Sequence, residues 1–349
     1  MHMNEDQYPF LRACQRQKTE YTPIWLMRQA GRYMKEYRAL RKKYSFLEMC
    51  KNPELAATVT LQPIEKFSLD AAIIFSDILI PLEPMGVEFE FAKGEGPVFH
   101  HPVREMKEVE RLRVFEPEEE TPFLMKAIQI VRKELEGKIP LIGFCGAPFT
   151  LASYIIEGGH SKNYVLTKGM MYQNRPAWDA LMVKISDVLI RYLNAQIDAG
   201  VQAVQLFDSW AGCLSPPDYE EYVLPYSKRV IDGVDQSVPL IHFATSNSTL
   251  LELMRRAGGD VIGVDWRVDI GEAWTRLGYE VAIQGNLDPV ILFGSVDLIK
   301  REVRRILDRV GGRPGHIFNL GHGILPNTPV ENVAALVESV HEYSAKSSH

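Results

Sequence analysis

Two arginines, Arg28 and Arg32, lie four residues apart where a short apolar run of the sequence ends, with Gly31 between them. Arginine binds a carboxylate or a phosphate through a planar fork of parallel hydrogen bonds. A buried or half-buried arginine needs such an anion, because an unpaired cation costs several kcal/mol to remove from water. The pair therefore indicates a site for an anionic ligand, unless nearby Asp or Glu side chains form salt bridges with both arginines.

Four further polar side chains follow the ends of apolar runs, three of them within a few residues and Tyr154 about one helix further on. They are Asp77, Tyr154, Ser209 and His322. A carboxylate such as Asp77 at the mouth of a binding site would stabilise a positive charge that develops during a reaction. The imidazole of His322, placed between two glycines, could hydrogen-bond an anionic substrate or transfer a proton. The alternative for all four is structural: a helix cap or turn, a helix-face aromatic, or a buried histidine.

The sequence lacks the motifs that bind metal ions and the common cofactors. Its widely separated cysteines form no C-x-x-C pair and are typical of reduced thiols: Cys14, Cys50, Cys145 and Cys213. No H-E-x-x-H, P-loop or G-x-S-x-G motif is present, and no G-x-G-x-x-G follows a predicted strand. We therefore expect chemistry that needs neither a cofactor nor a metal ion.

Eight short apolar runs alternate with helical patterns along the chain, and these elements would position the polar residues. Runs that are apolar throughout are typical of strands covered on both faces in a parallel sheet. The predicted strands are 24–27, 71–75, 141–144, 203–207, 240–243, 261–264, 281–283 and 317–320. The predicted helices include 53–67, 121–135, 177–199, 248–257, 296–310 and 329–343.

This alternation predicts a (β/α)8 TIM barrel formed by a single domain, 1–349. An average of roughly 150 residues per domain would suggest two domains, but one barrel with insertions also fits 349 residues. Residues just beyond the carboxyl ends of barrel strands meet at the active site. We therefore expect the two arginines and the four polar side chains to lie together. An open doubly wound sheet is the competing architecture, although its glycine-rich loop is missing.

Residues 86–103 interrupt the alternation. Apolar residues spaced two apart at 87–91 and an apolar pair at 98–99 flank a turn-forming stretch at 93–97. The pattern predicts a β-hairpin inserted after the second strand. This hairpin either decorates the surface or forms a lid over the site.

Composition and charge restrict the classes of partner. With 39 Lys and Arg against 45 Asp and Glu, the formal charge is −6, which gives no support to broad binding of nucleic acid. A local basic pocket remains compatible with this total. No apolar run reaches the length of about 18 residues that a membrane span needs, and no apolar signal core follows Met1. We therefore expect a cytoplasmic protein with short disordered ends.

Several of these stretches resemble the signatures of the uroporphyrinogen decarboxylase family. The first is IWLMRQAGRY at 24–33, and the second is GFCGAPFT at 143–150, which continues through Tyr154 to EGG at 157–159. Further matching stretches are FSDIL at 75–79, QLFDS at 205–209, QGNLDP at 284–289 and NLGHG at 319–323. The resemblance covers about 10–343, and its first motif is highly specific.

This resemblance implies a single-domain (β/α)8 barrel, a homodimer and a cofactor-free reaction in haem and tetrapyrrole synthesis. The reaction removes the carboxyl groups of the four acetate side chains of uroporphyrinogen III, and yields coproporphyrinogen III and carbon dioxide. The site carried over from the family pattern comprises Arg28, Arg32, Asp77, Tyr154, Ser209 and His322. The residues implied to line the same cleft are Phe207, Gln29, Ala30 and Gly31.

The resemblance also implies roles for these residues. A pyrrole protonated at a ring carbon is an electron sink, so decarboxylation needs no pyridoxal or thiamine. Asp77 would stabilise that cation more than the neutral ground state, while Arg28 and Arg32 would hold substrate carboxylates. The family pattern also offers Arg28 as the acid, but a guanidinium with a pKa above about 12 is a poor proton donor near neutral pH.

Two other functions fit parts of the pattern. Zinc-dependent methyltransferases that act on corrinoid proteins share this barrel, but they need an H-x-C ligand pair, whereas this chain has His242 followed by Phe243 and Ala244. A noncatalytic tetrapyrrole carrier could use the same arginines, but it would gain nothing from Asp77 at the centre of the pocket. Asp208, where some relatives have Glu, departs from the family pattern without affecting an assigned role.

Overall fold

A parallel sheet of short strands organises the fold. The computed structural model describes residues 8–92 and 96–346. In chain order the strands are β1 (Ala72–Ile73), β2 (Phe89–Ala92), β3 (Gly96–Phe99), β4 (Leu141–Gly146), β5 (Ala203–Asp208), β6 (Leu240–Ala244), β7 (Val261–Gly263), β8 (Ala282–Gln284) and β9 (His316–Ile317). Within the described residues, all except β2 and β3 form one seven-stranded parallel sheet in which each strand pairs with the next along the chain.

Strands β4 to β7 confirm the predicted runs, with ends shifted by at most two residues. Their residues are buried on both faces, with few exceptions. This pattern is expected for a curled parallel sheet whose outer face is covered by helices and whose inner face surrounds a core of its own side chains. These strands could therefore be predicted from the sequence, because a continuous apolar run is unfavourable in a strand that exposes one face to water.

Helices follow the strands and cover the sheet. They are α1 (Pro9–Cys14), α2 (Lys35–Arg41), α3 (Phe46–Lys51), α4 (Pro53–Lys66), α5 (Met106–Arg111), α6 (Pro117–Glu120), α7 (Pro122–Glu134), α8 (Pro148–Glu157), α9 (Val165–Gln173), α10 (Arg175–Asp198), α11 (Pro216–Tyr222), α12 (Leu224–Gly233), α13 (Leu251–Ala257), α14 (Ile270–Leu277), α15 (Val296–Val310) and α16 (Val330–Lys346). Helix α15 has the predicted bounds and ends at Gly311, whose φ of 65° is left-handed. Among the described residues, no helix combines the length and the apolar character that crossing a membrane requires.

The predicted first strand, 24–27, makes a single bridge instead of a regular ladder. Ile24 pairs in parallel with Phe318, whose N–H donates to the carbonyl of Pro23 at 2.8 Å. On the other side, the N–H of Asp70 donates to the carbonyl of Ile24 at 2.9 Å. The segment therefore lies between the residues after β9 and those that lead into β1. The predicted last strand is also shorter, since β9 ends at Ile317 and only isolated bridges follow.

Polar side chains on one face show that the sheet curls. Gln205 of β5 and Gln284 of β8 would be about 14 Å apart in a flat sheet, because neighbouring strands are about 4.8 Å apart. Instead, Nε2 of Gln284 donates to Oε1 of Gln205 at 3.0 Å. Trp25 Nε1 donates to the Oε1 of Gln284 at 2.9 Å. The curled sheet thus encloses a small core, which includes Met27, Ile142, Ile241, Phe243, Val261 and Ile317.

Strands β2 and β3 pair antiparallel outside this sheet. Residues 93–95, where the turn of the predicted hairpin would lie, are outside the described residues, as are the chain ends at 1–7 and 347–349 that the sequence predicts to be disordered. The N–H of Phe99 in β3 donates to the carbonyl of Gly158 at 3.1 Å. This bond attaches the two-stranded ribbon to the end of α8.

A cluster around Asp70 ties the first segment to the last helix. The carboxylate of Asp70, which is 7% exposed, accepts the N–H of Ile24 at 2.7 Å and the hydroxyl of Tyr21 at 2.9 Å. Its Oδ2 also lies 2.8 Å from Nε2 of His341 in α16. The rings of Tyr21 and His341 are in edge contact at 4.6 Å. One carboxylate therefore joins segments 271 residues apart.

We expect Asp70→Ala to lower the free energy of unfolding by about 2–3 kcal/mol, because it leaves buried donors without an acceptor. Urea unfolding followed by circular dichroism measures this loss. The control is Asp232→Ala, which breaks an exposed pair with Lys228 and should cost less than about 1 kcal/mol. Equal losses in the two variants would show that the Asp70 cluster adds nothing to stability.

Candidate active site

Arg28 lies in the turn after the Ile24 bridge, and a glycine accommodates its side chain. Its φ of 60° is in the left-handed region, which non-glycine residues seldom adopt. The side chain passes so close to Gly323 that a Cβ atom at that position would overlap Cγ and Cδ of Arg28. The loop that carries His322 is therefore in direct contact with Arg28.

His322 is an uncharged group at neutral pH. Burial and the positive charges of Arg28 and Arg267 together lower the pKa of its imidazole to about 4, although Asp265 acts in the opposite direction. The ring is half-buried. At pH 7 it can therefore donate one hydrogen bond and accept another, but it does not supply a positive charge.

Asp77 follows β1 and lies in a tight turn. Its Oδ1 accepts the N–H of Leu79 at 2.9 Å, which is the turn that the sequence offered as a structural alternative. Burial raises the pKa of the carboxyl group, while the bond from Leu79 and the charge of Arg28 lower it. Asp77 and Arg28 therefore interact electrostatically, although within the described ranges they form no ion pair within 4 Å.

Tyr154 projects from α8 toward the same group. Burial and the negative charge of Asp77 raise the pKa of its hydroxyl to about 12, against the opposing effect of Arg28. The ring centroid lies 5.8 Å from that of Trp210 and 6.2 Å from that of Phe99 in the ribbon. Tyr154 therefore remains protonated at neutral pH and can donate a hydrogen bond.

Arg28 connects the group electrostatically: its charge acts on Asp77, on Tyr154 and on His322, and Asp77 also acts on Tyr154. Ser209 lies half-buried immediately after β5. Its carbonyl accepts the hydroxyl of Thr245 at 2.6 Å. Ser209 caps no helix, since the cap of α11 is Ser215.

The arginines are more exposed than the sequence argument assumed. Arg28 and Arg32 are both exposed, and neither forms an ion pair with a carboxylate in the described parts of the chain. The prediction that these arginines are buried and need an anion to offset lost hydration is therefore wrong for the ligand-free protein, because both residues are exposed. The carbonyl of Arg32 accepts a hydrogen bond from Nη1 of Arg38 at 2.9 Å. The positive charge of Arg32 acts on Tyr37 rather than on Asp77.

The strip between the arginines has a structural arrangement of its own. Gln29 is 1% exposed; its Oε1 accepts the N–H of Leu26 at 3.1 Å, and its Nε2 donates to the carbonyl of Ala71 at 3.2 Å. The side chain of Gln29 therefore holds the turn against the start of β1. Ala30 and Gly31 are half-buried, and the carbonyl of Gly31 accepts the N–H of Met34 at 3.0 Å.

Aromatic rings form a floor on the inner face of the sheet. Phe207 of β5 is half-buried, and its ring lies 5.6 Å from Phe144 and 5.8 Å from Phe243 in edge contacts. Such a surface suits the flat, apolar body of a ligand, while polar groups at the strand ends would meet its charged periphery.

Two features were missed by the sequence argument. Arg267 follows β7, and its charge reaches His322; the signal in the sequence was an arginine two residues after the strand-end Asp265. Asp208 is fully buried, with Oδ1 accepting the hydroxyl of Thr150 at 3.0 Å. Its Oδ2 has no hydrogen-bond partner among the described residues, and burial raises the pKa of Asp208 to about 7.

Asp208 should make stability depend on pH. Its folded-state pKa lies above the ordinary 3.8, so the folded protein holds the proton more tightly, and stability falls as pH rises from about 4 to about 7. At about 1.4 kcal/mol for each pH unit, the full effect is about 4 kcal/mol. We expect Asp208→Asn, which does not ionise, to gain stability relative to wild type across this interval.

Urea unfolding of wild type and Asp208→Asn between pH 4 and pH 8 measures the difference. Asp232→Asn, at an exposed site, serves as the control and should follow wild type. If the difference in the free energy of unfolding between wild type and Asp208→Asn stayed constant with pH, the raised pKa of Asp208 would be contradicted.

No metal-binding group is evident in residues 8–92 and 96–346: no three His, Cys, Asp or Glu side chains are arranged to hold an ion. The neighbours of His242 in β6, Ile241 and Phe243, belong to the inner cluster. Because successive residues of a strand point to opposite faces, the ring of His242 faces the helices. There it lies beside the backbone of Met254 and Gly258. The cysteines are free; Cys213 is half-buried and the other three are buried.

Solved structures of low sequence identity share the fold. A methyltransferase from Methanosarcina mazei superposes with a TM-score of 0.80 at 22% identity, covering 96% of this chain and 98% of that chain. A B12-independent methionine synthase from Shewanella sp. W3-18-1 has a TM-score of 0.55 at 11% identity, with 83% and 88% covered. At these identities the likeness shows the fold alone.

Sequence relatives are much more similar. The family model described as uroporphyrinogen decarboxylase matches residues 5–343. A uroporphyrinogen decarboxylase from Carboxydothermus hydrogenoformans is 60% identical over 339 residues, which are 97% of each chain. One from Sorangium cellulosum is 59% identical over 333 residues, or 95% of each chain. With nearly the whole chain matched and the motifs at 24–33 and 143–150 present, the chain belongs to the uroporphyrinogen decarboxylase family.

Proposed function

We propose that the chain decarboxylates the four acetate side chains of uroporphyrinogen III, giving coproporphyrinogen III and carbon dioxide in tetrapyrrole synthesis. Relatives at 53–60% identity over at least 95% of this chain carry the name of this activity. The observation that supports the proposal most directly is the interaction of Arg28 with Asp77, Tyr154 and His322, together with that of Asp77 with Tyr154. These groups would supply one negative charge and several hydrogen-bond donors to a ligand.

Each decarboxylation consumes one proton overall, which replaces the departing carboxylate. A pyrrole ring carbon takes up a proton, and the ring becomes cationic. The bond between the acetate methylene and its carboxylate then breaks, carbon dioxide leaves, and the electron pair neutralises the ring. The exocyclic methylene takes up a proton to become a methyl group, while the ring carbon loses the proton that it gained. No external electron carrier is needed, so the proposal includes no cofactor and no metal ion.

Asp77 would lie near the pyrrole N–H groups and stabilise the cationic ring. A carboxylate gains little from a neutral pyrrole but much from the protonated one, so it lowers the barrier rather than the ground state. Burial raises the pKa of Asp77 and Arg28 lowers it. Arg28 thereby helps to keep Asp77 ionised, which the proposed role requires.

The other residues would bind the periphery of the substrate. Arg28 and Arg32 would pair with carboxylates, and their exposure leaves them open to an incoming polyanion. Tyr154 and His322 would donate hydrogen bonds as neutral groups, with Ser209 as a further partner. Phe207 would contact the macrocycle, and the backbone at 29–31 would shape the cleft.

The proposal extends to architecture and assembly. The bridge of Ile24 to Phe318 on one side and its backbone hydrogen bond with Asp70 on the other support an eight-membered closed (β/α)8 barrel formed by one domain over 1–349, with the ribbon within 86–103 as an insertion beside Tyr154. We also propose a homodimer located in the cytoplasm, which binds neither nucleic acid nor membranes.

Anaerobic incubation with uroporphyrinogen III, followed by mass spectrometry of the product, tests the function. We expect loss of four carboxyl groups without an added cofactor. Recovery of unchanged substrate would contradict the proposal and would favour a tetrapyrrole carrier. The zinc-dependent methyltransferase alternative is not favoured, because Ala244 stands where that chemistry needs a thiolate; stoichiometric zinc in the purified active protein would reverse this assignment.

A further inference from the structure

We propose that Arg267 is a third cationic ligand for the substrate, which binds a peripheral carboxylate of the tetrapyrrole beside His322. This inference rests on the proposed function and identifies a residue that the family pattern did not supply. Arg267 is suited to the role by its place beyond β7, by the way its guanidinium group is held, and by its remaining free donors.

The loop that carries Arg267 packs directly on the loop that carries His322. A Cβ atom at Gly321 would lie 2.5 Å from the backbone nitrogen of Trp266 and 2.9 Å from Cε3 of its ring. Only glycine therefore permits this approach. On the other side of His322, Gly323 makes the equally close contact with the side chain of Arg28. Arg267 and Arg28 thus lie on loops that both contact the His322 loop.

The guanidinium group of Arg267 is anchored along one edge. Its Nη1 pairs with Oδ2 of Asp265, a carboxylate that is fully buried. Its Cζ lies 4.0 Å from the ring centroid of Trp266, a cation–π contact. These contacts reduce the freedom that the side chain would lose on binding a ligand, which favours affinity.

The other edge of the guanidinium group is available. The Arg267 side chain is 48% exposed, and among the described residues its Nε and Nη2 donate to no protein acceptor. Asp265 also accepts the N–H groups of Ser246 at 2.6 Å and of Arg267 at 3.1 Å. Asp265 is therefore stabilised by more than the guanidinium group, and the free donors of Arg267 remain for a second carboxylate.

The electrostatic field supports the same placement. Arg28 and Arg267 both lower the pKa of His322, and Asp265 opposes them. The imidazole of His322 therefore lies within the electrostatic influence of both arginines. A substrate with eight carboxylates gains from several local cations, since the chain as a whole is negatively charged at −6.

Loss of a charge-assisted hydrogen bond should weaken binding about tenfold or more. We expect Arg267→Ala to raise the Kd of uroporphyrin, the fluorescent oxidised form of the substrate, about tenfold at low ionic strength. In turnover assays KM should rise by a similar factor while kcat changes less than about threefold, because a peripheral contact is present in both the ground state and the transition state. Arg267→Lys, which keeps the charge without the fork, should give an intermediate Kd.

A second set of variants separates ligand binding from a structural role. Arg267→Gln keeps a donor for Asp265 but removes the charge, so it should fold normally and still bind uroporphyrin weakly. Arg313→Ala is the matched control, since Arg313 also lies over an aromatic ring, that of Tyr279 at 3.9 Å, but precedes β9 at the opposite end of the sheet. Its Kd should remain that of wild type.

Fluorescence titration decides the inference independently of turnover. An unchanged uroporphyrin Kd in both Arg267→Ala and Arg267→Gln would overturn it, as would equal weakening in Arg313→Ala. A wild-type protein that binds uroporphyrin but releases no carbon dioxide from uroporphyrinogen would contradict the proposed function instead, and the Arg267 comparison would still be decided by the titration.

Discussion

Replacement of Asp77 by Asn is expected to lower the rate of decarboxylation about a thousandfold while substrate binding stays within a few-fold of wild type. The carboxylate would stabilise a cation that exists only during the reaction, so its loss raises the barrier rather than the dissociation constant. Asn retains an oxygen acceptor for the N–H of Leu79, which lies 2.9 Å from Asp77 Oδ1. Single-turnover rates under anaerobic conditions and uroporphyrin titration measure the two effects separately.

Asp288 offers a matched control for this substitution. It also follows a strand of the sheet, β8, and its Oδ1 accepts the N–H of Val290 two residues on at 2.9 Å. We expect Asp288→Asn to keep turnover within about threefold of wild type. Asp77→Ala should fold and should lose decarboxylation more than binding. Near-wild-type turnover in Asp77→Asn would refute the assigned role.

Replacement of Arg28 by Ala is expected to reduce kcat/KM at least about a hundredfold, because it removes a charge-assisted carboxylate contact and the cation next to Asp77. Arg28→Lys keeps the charge but not the planar fork, and should show a smaller loss. Steady-state kinetics with uroporphyrinogen III measures both. Unchanged kinetics in Arg28→Ala would leave Arg28 with a structural role only.

The pH dependence separates the charge of Arg28 from its hydrogen bonds. Arg28 lowers the pKa of Asp77, so Arg28→Ala should raise that pKa, and the acid limb of kcat/KM should move to higher pH. In Arg28→Lys the limb should stay near its wild-type position. An acid limb that moves equally in both variants would contradict electrostatic coupling between Arg28 and Asp77.

Continuous apolar runs were a reliable guide to the fold in the middle of the sheet. Leu141, Ala203 and Leu240 begin both predicted and observed strands, because strands buried on both faces admit few polar residues. The segment at 24–27 was predicted less well. It reaches its neighbours through bonds with Phe318 and Asp70, and partners so distant along the chain leave no local periodicity.

The sequence predicts which side chains belong to the site better than it predicts their solvent exposure and their neighbours. The motifs around Arg28, Asp77 and His322 were sufficient to recognise the family. They did not predict that Arg28 and Arg32 would be exposed, or that Arg267 would lie beside the His322 loop. Exposure and proximity depend on how loops from separate strands pack, as Gly321 against Trp266 illustrates.

The family, the alternation of strands and helices, and the residues proposed for the site could be predicted from the amino-acid sequence, because each depends on a short local motif. The charge state of the groups in the site depends on the tertiary structure. His322 is neutral and Asp208 titrates near pH 7 because burial excludes water from both. Burial is a property of the folded chain, since the groups that exclude water come from segments far apart in sequence.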